Sequence, residues 1–252
     1  MSRAFLAFLL LFVVYQAPEG LGRLFPAHAA LAAALMLLFL PVAWLVARAL
    51  GSTMSAAYAL ERHRRSAWLL AAGLFCALLI KGAALAAGAH FGIYVAATPS
   101  EEATRHAPVL ASLAWLAVST FFPSIAEDIL TRGFWLRISN RWSAAGFVLF
   151  SAALYVANHV FRLANGPGEW LMLFCFGLAY AAALWRFDNL WAAVGLHWGW
   201  NFAGPALGTA WAYEVADVER SRLLSASAHL VILGIVLLSG WLSPERPRAR
   251  GA

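Results

Sequence analysis

Residues 112–134 read SLAWLAVSTFFPSIAEDILTRGF, and their reading decides the fold. From Pro108 to Ala126 nineteen residues pass without a charge, about the length a helix needs to cross the hydrocarbon of a bilayer. Glu127, Asp128 and Arg132 then follow within one and a half helical turns. Charges placed at the end of such a run are costly unless they are paired or face a wet cavity, and a functional site is the usual reason for them. The rest of the chain has the same character. It is 63% hydrophobic and 12% charged with a mean hydropathy of +0.73, against about a quarter charged in soluble domains. The expectation is an integral membrane protein.

Outward from that stretch, apolar segments fall at about 4–15, 29–47, 67–89, 108–137, 143–161, 170–185, 190–207 and 228–241. Short polar joints separate them and leave no room for a soluble unit, so the fold class is all-α, a polytopic bundle of about eight transmembrane helices in one domain over 1–252. Pro123 is expected to kink the fourth segment, because it removes a backbone donor just before the acidic pair. The first segment is short and follows Ser2-Arg3 as a signal-peptide core would, but no small-x-small cleavage site comes after it. A retained, short or tilted helix is expected.

With the N-terminus inside, 12 of the 17 arginines lie on the inner side and 5 on the outer side, which argues for both termini in the cytoplasm. A composition rich in Ala, Leu and Arg points to a bacterial inner membrane. The formal charge of +6 sits in clusters flanking helices, so anionic lipid headgroups rather than nucleic acid are the expected partner. Cys76 and Cys175 lie inside apolar runs and imply neither a disulfide framework nor a CxxC metal site.

Three polar motifs interrupt the apolar helices. Asp128 and Arg132 stand at i and i+4 with the acid first, the favourable order for an ion pair. Glu127 then faces another direction without a cation of its own, a setting suited to proton transfer. Tyr155 and His159 repeat the i, i+4 spacing with Asn158 beside them, and His197 and Asn201 repeat it again. Each has a plainer explanation: an interfacial charge cluster for the first, and a histidine bonded to backbone or interhelical hydrogen bonding for the others. Lys81 in the third segment reads first as a snorkelling cation.

Taken together and in order, Glu127-Asp128-x-x-x-Arg132-Gly133-Phe134, Tyr155-x-x-x-His159 and His197-x-x-x-Asn201 resemble the CPBP family, the CAAX prenyl endopeptidase and bacteriocin-processing proteins. The resemblance covers 119–201 and departs at Asp128, where the family usually has Glu, and at Tyr155, where Phe is commoner. It implies an eight-helix intramembrane protease with a conical active-site cavity and a protease core at about 108–207. Its substrate would be a lipidated or membrane-anchored protein or peptide, cut near its C-terminus or membrane junction. Carried over, Glu127 activates water with His159, His197 and Asn201 stabilise the oxyanion, and Asp128, Arg132 and Tyr155 support them. An older view of the family makes Glu127, His159 and His197 ligands of a divalent metal such as zinc. A cofactor-free reading is preferred, because the His-Glu-x-x-His signature is absent and Asn201 beside His197 suits an oxyanion hole.

The signatures of rhomboid, aspartyl and zinc intramembrane proteases are all absent from the chain. Two other classes stay open: a proton-coupled transporter using Glu127, His159 and His197 as a relay, and a non-catalytic peptide-immunity scaffold. Simple spans leave one conflict. They put Glu127 and His197 in the inner part of the bilayer and His159 toward the outside, so that either helix five starts outside the hydrocarbon or the joint at 165–168 is re-entrant.

Overall fold

The computed structural model describes residues 3–25, 29–97, 109–138 and 142–239. In chain order they form α1 (Arg3–Leu24), α2 (Ala29–Ala49), a short α3 (Met54–Tyr58), α4 (Arg64–His90) and the strand β1 (Tyr94–Ala96). Next come α5 (Val109–Asp128), a π-helical turn (Ile129–Gly133), α6 (Phe134–Ile138) and α7 (Ala144–Asn158). A 3-10 segment (Val160–Asn165), α8 (Pro167–Phe187), α9 (Leu190–Gly208), the strand β2 (Tyr213–Val215) and α10 (Val218–Ser239) complete them. Taking α5, the π turn and α6 as one rod, the described residues hold eight long helical units, in line with the about eight expected. By length and apolarity alone, α1, α4, the α5–α6 rod, α8 and α10 suffice to cross a membrane. The protein is a multi-pass, all-α membrane bundle.

Local chemistry sets the joints. Thr53, Ser143 and Asn189 cap their helices by accepting from the backbone N–H of Ala56, Gly146 and Trp191, which satisfies donors the first turn leaves unpaired. Gly166, at φ +87°, turns the chain into α8 with Pro167 at the first helical position, where proline loses no hydrogen bond. The large exposed side chains are aliphatic and aromatic, such as Leu10, Leu37, Phe75, Leu79 and Leu237. That surface suits lipid and not water.

The packing centre is α9, held against α4 by glycines. A Cβ on Gly199 would sit 2.8 Å from the Leu74 carbonyl and from the Ala77 Cβ, and one on Gly73 would sit 2.9 Å from the Leu196 nitrogen. Gly195 meets the backbone of Leu70 as closely. Small residues let the two backbones touch, the contact that drives helix association where lipid removes the hydrophobic incentive. On the other side, Gly177 of α8 lies under Ala152 and Tyr155 of α7.

Polar groups gather at two ends. At one, Arg137 pairs with Glu61 (3.7 Å) and Asp188 (3.4 Å), and the Leu190 N–H donates to the Ala59 carbonyl (2.8 Å). At the other, Glu169 is shared by Arg162 and Arg222, Arg222 also pairs with Glu219, and β1 runs antiparallel to β2 with Tyr94 opposite Val215. This grouping follows from helices that alternate in direction.

Three expectations need correction or refinement. The first helix is not short: it runs through Pro18 to Leu24, with Leu11 and Pro18 buried. The α5 helix continues through Pro123, and the departure from α geometry comes at the π turn beyond it, around the acidic pair, as π-bulges often do at functional sites. The fifth segment does not carry His159 away to the outside. Its α-helix stops at Asn158, and His159 stands between it and the 3-10 segment. Residues 139–141 and those after 239 lie outside the described residues, so the far end of the last expected segment, 228–241, is not described.

Candidate active site

Glu127 and Asp128 close α5, so they project from adjacent positions about 100° apart. Both are buried, at 4% and 0% exposure. Asp128 pairs with Arg132, itself fully buried, and the guanidinium lies over the rings of Tyr155 (5.2 Å) and Tyr180 (5.3 Å). One cation thus serves two buried carboxylates, and hydrogen-bond donors from Asn158 and His197 meet them as well. The π turn is pinned by Thr131 Oγ1 donating to the Glu127 carbonyl (2.7 Å) and by Ser151 Oγ donating to the Thr131 carbonyl (3.1 Å). Gly133 ends it where a Cβ would press on the Tyr58 carbonyl at 3.0 Å, which is why the arginine is followed by glycine.

Asp128 has a second partner that sequence reasoning did not find. The Nδ1 of His197 lies 3.0 Å from its Oδ1. A carboxylate oxygen only accepts, so Nδ1 carries a proton, and the tautomer this selects for the neutral ring has its lone pair at Nε2. That Nε2 sits 3.6 Å from Glu127 Oε2 and 3.5 Å from the Tyr155 hydroxyl. Tyr180 stacks on the imidazole at 4.9 Å, fixing its plane. The hydroxyl that Tyr155 adds to the family ring therefore reaches the site.

His159 resolves the depth conflict. Its Nδ1 donates to the Tyr155 carbonyl (2.8 Å) and lies 3.5 Å from Glu127 Oε1. Because α5 and α7 run in opposite directions and side chains lean toward their own helix N-terminus, Glu127 and His159 lean toward one another across the bundle. Ending α7 at Asn158 leaves His159 at the last turn, where its ring folds back onto the carbonyl four residues before. Its side chain is 13% exposed against 5% for Glu127 and 2% for His197, so access to the group is from the His159 side. Asn158, unassigned in the sequence reading, donates from Nδ2 to Glu127 Oε1 at 2.9 Å.

Glu127, Asp128, Arg132, Tyr155, His159 and His197 thus form one cluster drawn from three segments. Asn201 is nearby but turned elsewhere: one helical turn beyond His197, it donates to Ser124 Oγ at 3.1 Å. Residues 109–203 match the family model described as Type II CAAX prenyl endopeptidase Rce1-like. This segment is similar to the CAAX proteases. No curated protein and no solved structure matches the chain. The Rce1-like segment contains all seven residues singled out by the three motifs.

Among the described residues no three His, Cys, Asp or Glu side chains are disposed to hold a metal ion. The reason lies in the donors. The nitrogen of His159 nearest Glu127 is the protonated Nδ1, committed to the Tyr155 carbonyl, so it has no lone pair to offer a metal shared with Glu127. The side chains as placed do not fit the metal centre of the older view.

Proposed function

We propose that the chain is an endopeptidase that cuts a lipidated or membrane-anchored protein or peptide near its C-terminus or membrane junction, with Glu127 as the general base. The observation that carries the reading is the convergence of His159 Nδ1 and His197 Nε2 on the two oxygens of one buried carboxylate, at 3.5 and 3.6 Å. Neither contact is a direct hydrogen bond at full strength. A water touching Glu127 Oε2 and His197 Nε2 is held by both, and its proton passes to Glu127 as its oxygen attacks the scissile carbonyl.

Asp128 keeps His197 in the tautomer that leaves Nε2 facing the base, the role a buried carboxylate plays toward a catalytic imidazole. His159 and the amide of Asn158 hold Oε1, so that Oε2 is the oxygen left to accept the proton. Collapse of the tetrahedral intermediate returns that proton to the leaving amine. The oxyanion is stabilised by the Tyr155 hydroxyl and by the amide of Asn201, once Asn201 exchanges Ser124 for substrate. No step is routed through a metal. The domain is read as one unit with its protease core at about 108–207, seated in the bacterial inner membrane with both termini cytoplasmic.

Purified protein in liposomes is given a quenched-fluorescence reporter whose scissile bond lies near a lipidated C-terminus. Cleavage that resists chelation and is abolished in Glu127→Gln and His159→Ala is the expected outcome. Persistence of cleavage in both variants overturns the assignment, and Glu127-dependent proton flux without proteolysis replaces it with the transporter reading.

A further inference from the structure

Helix α1 lies outside the Rce1-like segment, yet it reaches the base. Gln16 Nε2 donates to the Asn158 backbone carbonyl at 2.6 Å and to Asn158 Oδ1 at 3.0 Å. Asn158 Nδ2 in turn donates to Glu127 Oε1 at 2.9 Å. We propose that Gln16 is a positioning residue for Glu127, acting on it through Asn158.

The physical case rests on what each bond decides. The carbonyl of Asn158 is an orphan acceptor, because α7 ends there. An ordinary interhelical contact would satisfy it and stop. Gln16 also takes the side-chain oxygen, and an amide with its oxygen occupied on one side has only its NH2 to turn to the other. The bond to Oδ1 therefore selects the flip of Asn158 that offers a donor to Glu127; the opposite flip would set a carbonyl oxygen against a carboxylate.

Helix α1 is anchored for this task along its length. Phe8 packs on Trp135 at 5.0 Å and on Phe134 at 6.2 Å. Gly20 abuts the Phe161 ring, and Arg23 lies over that ring at 5.1 Å. Its two contacts thus bracket the acidic helix on one side and the segment after His159 on the other.

The inference rests on Glu127 being the base, so Glu127→Gln is run alongside. Reporter cleavage in liposomes is measured per folded protein, counted from the monodisperse fraction in detergent, for Gln16→Met, Gln16→Glu and Asn158→Ala. Gln16→Met lowers kcat about tenfold with KM within about twofold, since the flip of Asn158 that donates to the charged base is no longer held and no substrate contact is lost. Gln16→Glu keeps the shape of glutamine but turns two acceptors against a third, and it lowers kcat further than Gln16→Met; a packing role predicts the reverse order. In the Asn158→Ala background Gln16→Met has no additional effect on kcat. Additive losses, or full activity in the Gln16 variants while Glu127→Gln is inactive, overturn this inference alone. Activity retained in Glu127→Gln overturns the reading beneath it.

Discussion

Two adjacent carboxylates have been given different work by what surrounds them. Asp128 is tied to Arg132 and to Nδ1 of His197, while Glu127 meets amide and imidazole groups. Asp128→Asn keeps the shape but can satisfy His197 and Arg132 only in part, since one end of the amide is a donor. It is expected to lower kcat about a hundredfold while KM changes little, measurable with the same reporter. Arg132→Met is a different kind of loss. It strands Asp128 as a buried, uncompensated charge, and destabilisation of about 3–5 kcal/mol is expected, read as a lowered midpoint in denaturant-induced unfolding in detergent. Arg132→Lys restores a charge but neither the planar stacking on Tyr155 and Tyr180 nor a second donor in the right place, so it recovers only part of that stability.

At the scale of elements, the site depends on two close helix contacts and one irregular turn. Gly199 faces the Leu74 carbonyl and Ala77 with no room for a methyl group. Gly199→Ala must separate α9 from α4, at a cost of about 1–3 kcal/mol, and it swings His197 away from Asp128. Loss of activity should therefore exceed loss of stability, a split visible by comparing cleavage per folded protein with the unfolding midpoint. The π turn has an analogous role on α5. By widening one turn it changes the facing of everything after Ile129, so that Arg132 still reaches Asp128 while Gly133 passes beneath Tyr58. The short α7 is the third device. An α-helix continued beyond Asn158 would remove the free carbonyl that Gln16 uses and the fold-back that His159 makes.

For the whole molecule, the two polar ends supply a test of orientation. Ser52, between α2 and α3, belongs to the end with Arg137 and Glu61; Glu214, on β2, belongs to the end with Glu169 and Arg222. With both termini cytoplasmic, a membrane-impermeant maleimide applied to intact spheroplasts labels Glu214→Cys and spares Ser52→Cys, and permeabilisation exposes the second. Cys76 and Cys175 are replaced by Ala and Ser beforehand to remove their background. Labelling in the reverse pattern inverts the proposed topology without touching the chemistry of the site.

By itself the sequence determined the class of the molecule and most of its chemistry. Long uncharged runs can only be buried in lipid as helices, and charged residues inside them announce themselves because they are so costly there. Hence the eight helical units, the Asp128–Arg132 pair, and Glu127, Tyr155, His159 and His197 as members of one site were legible from spacing and order. The tertiary structure decided what depends on neighbours distant in the chain. That His197 bonds Asp128 across 69 positions, that Asn201 turns to Ser124, and that α1 delivers Gln16 to Asn158 beside Glu127 leave no periodic trace, because a glutamine in an apolar helix looks the same whether it faces lipid headgroups or an active site. The depth of His159 was hidden for a related reason: where α7 ends is set by partners for its last carbonyls, and those partners come from another helix. The acidic pair that opened the reading was thus visible as a cost in the sequence, and only the fold shows that Asp128 meets Nδ1 of His197 while Glu127 meets the amide of Asn158.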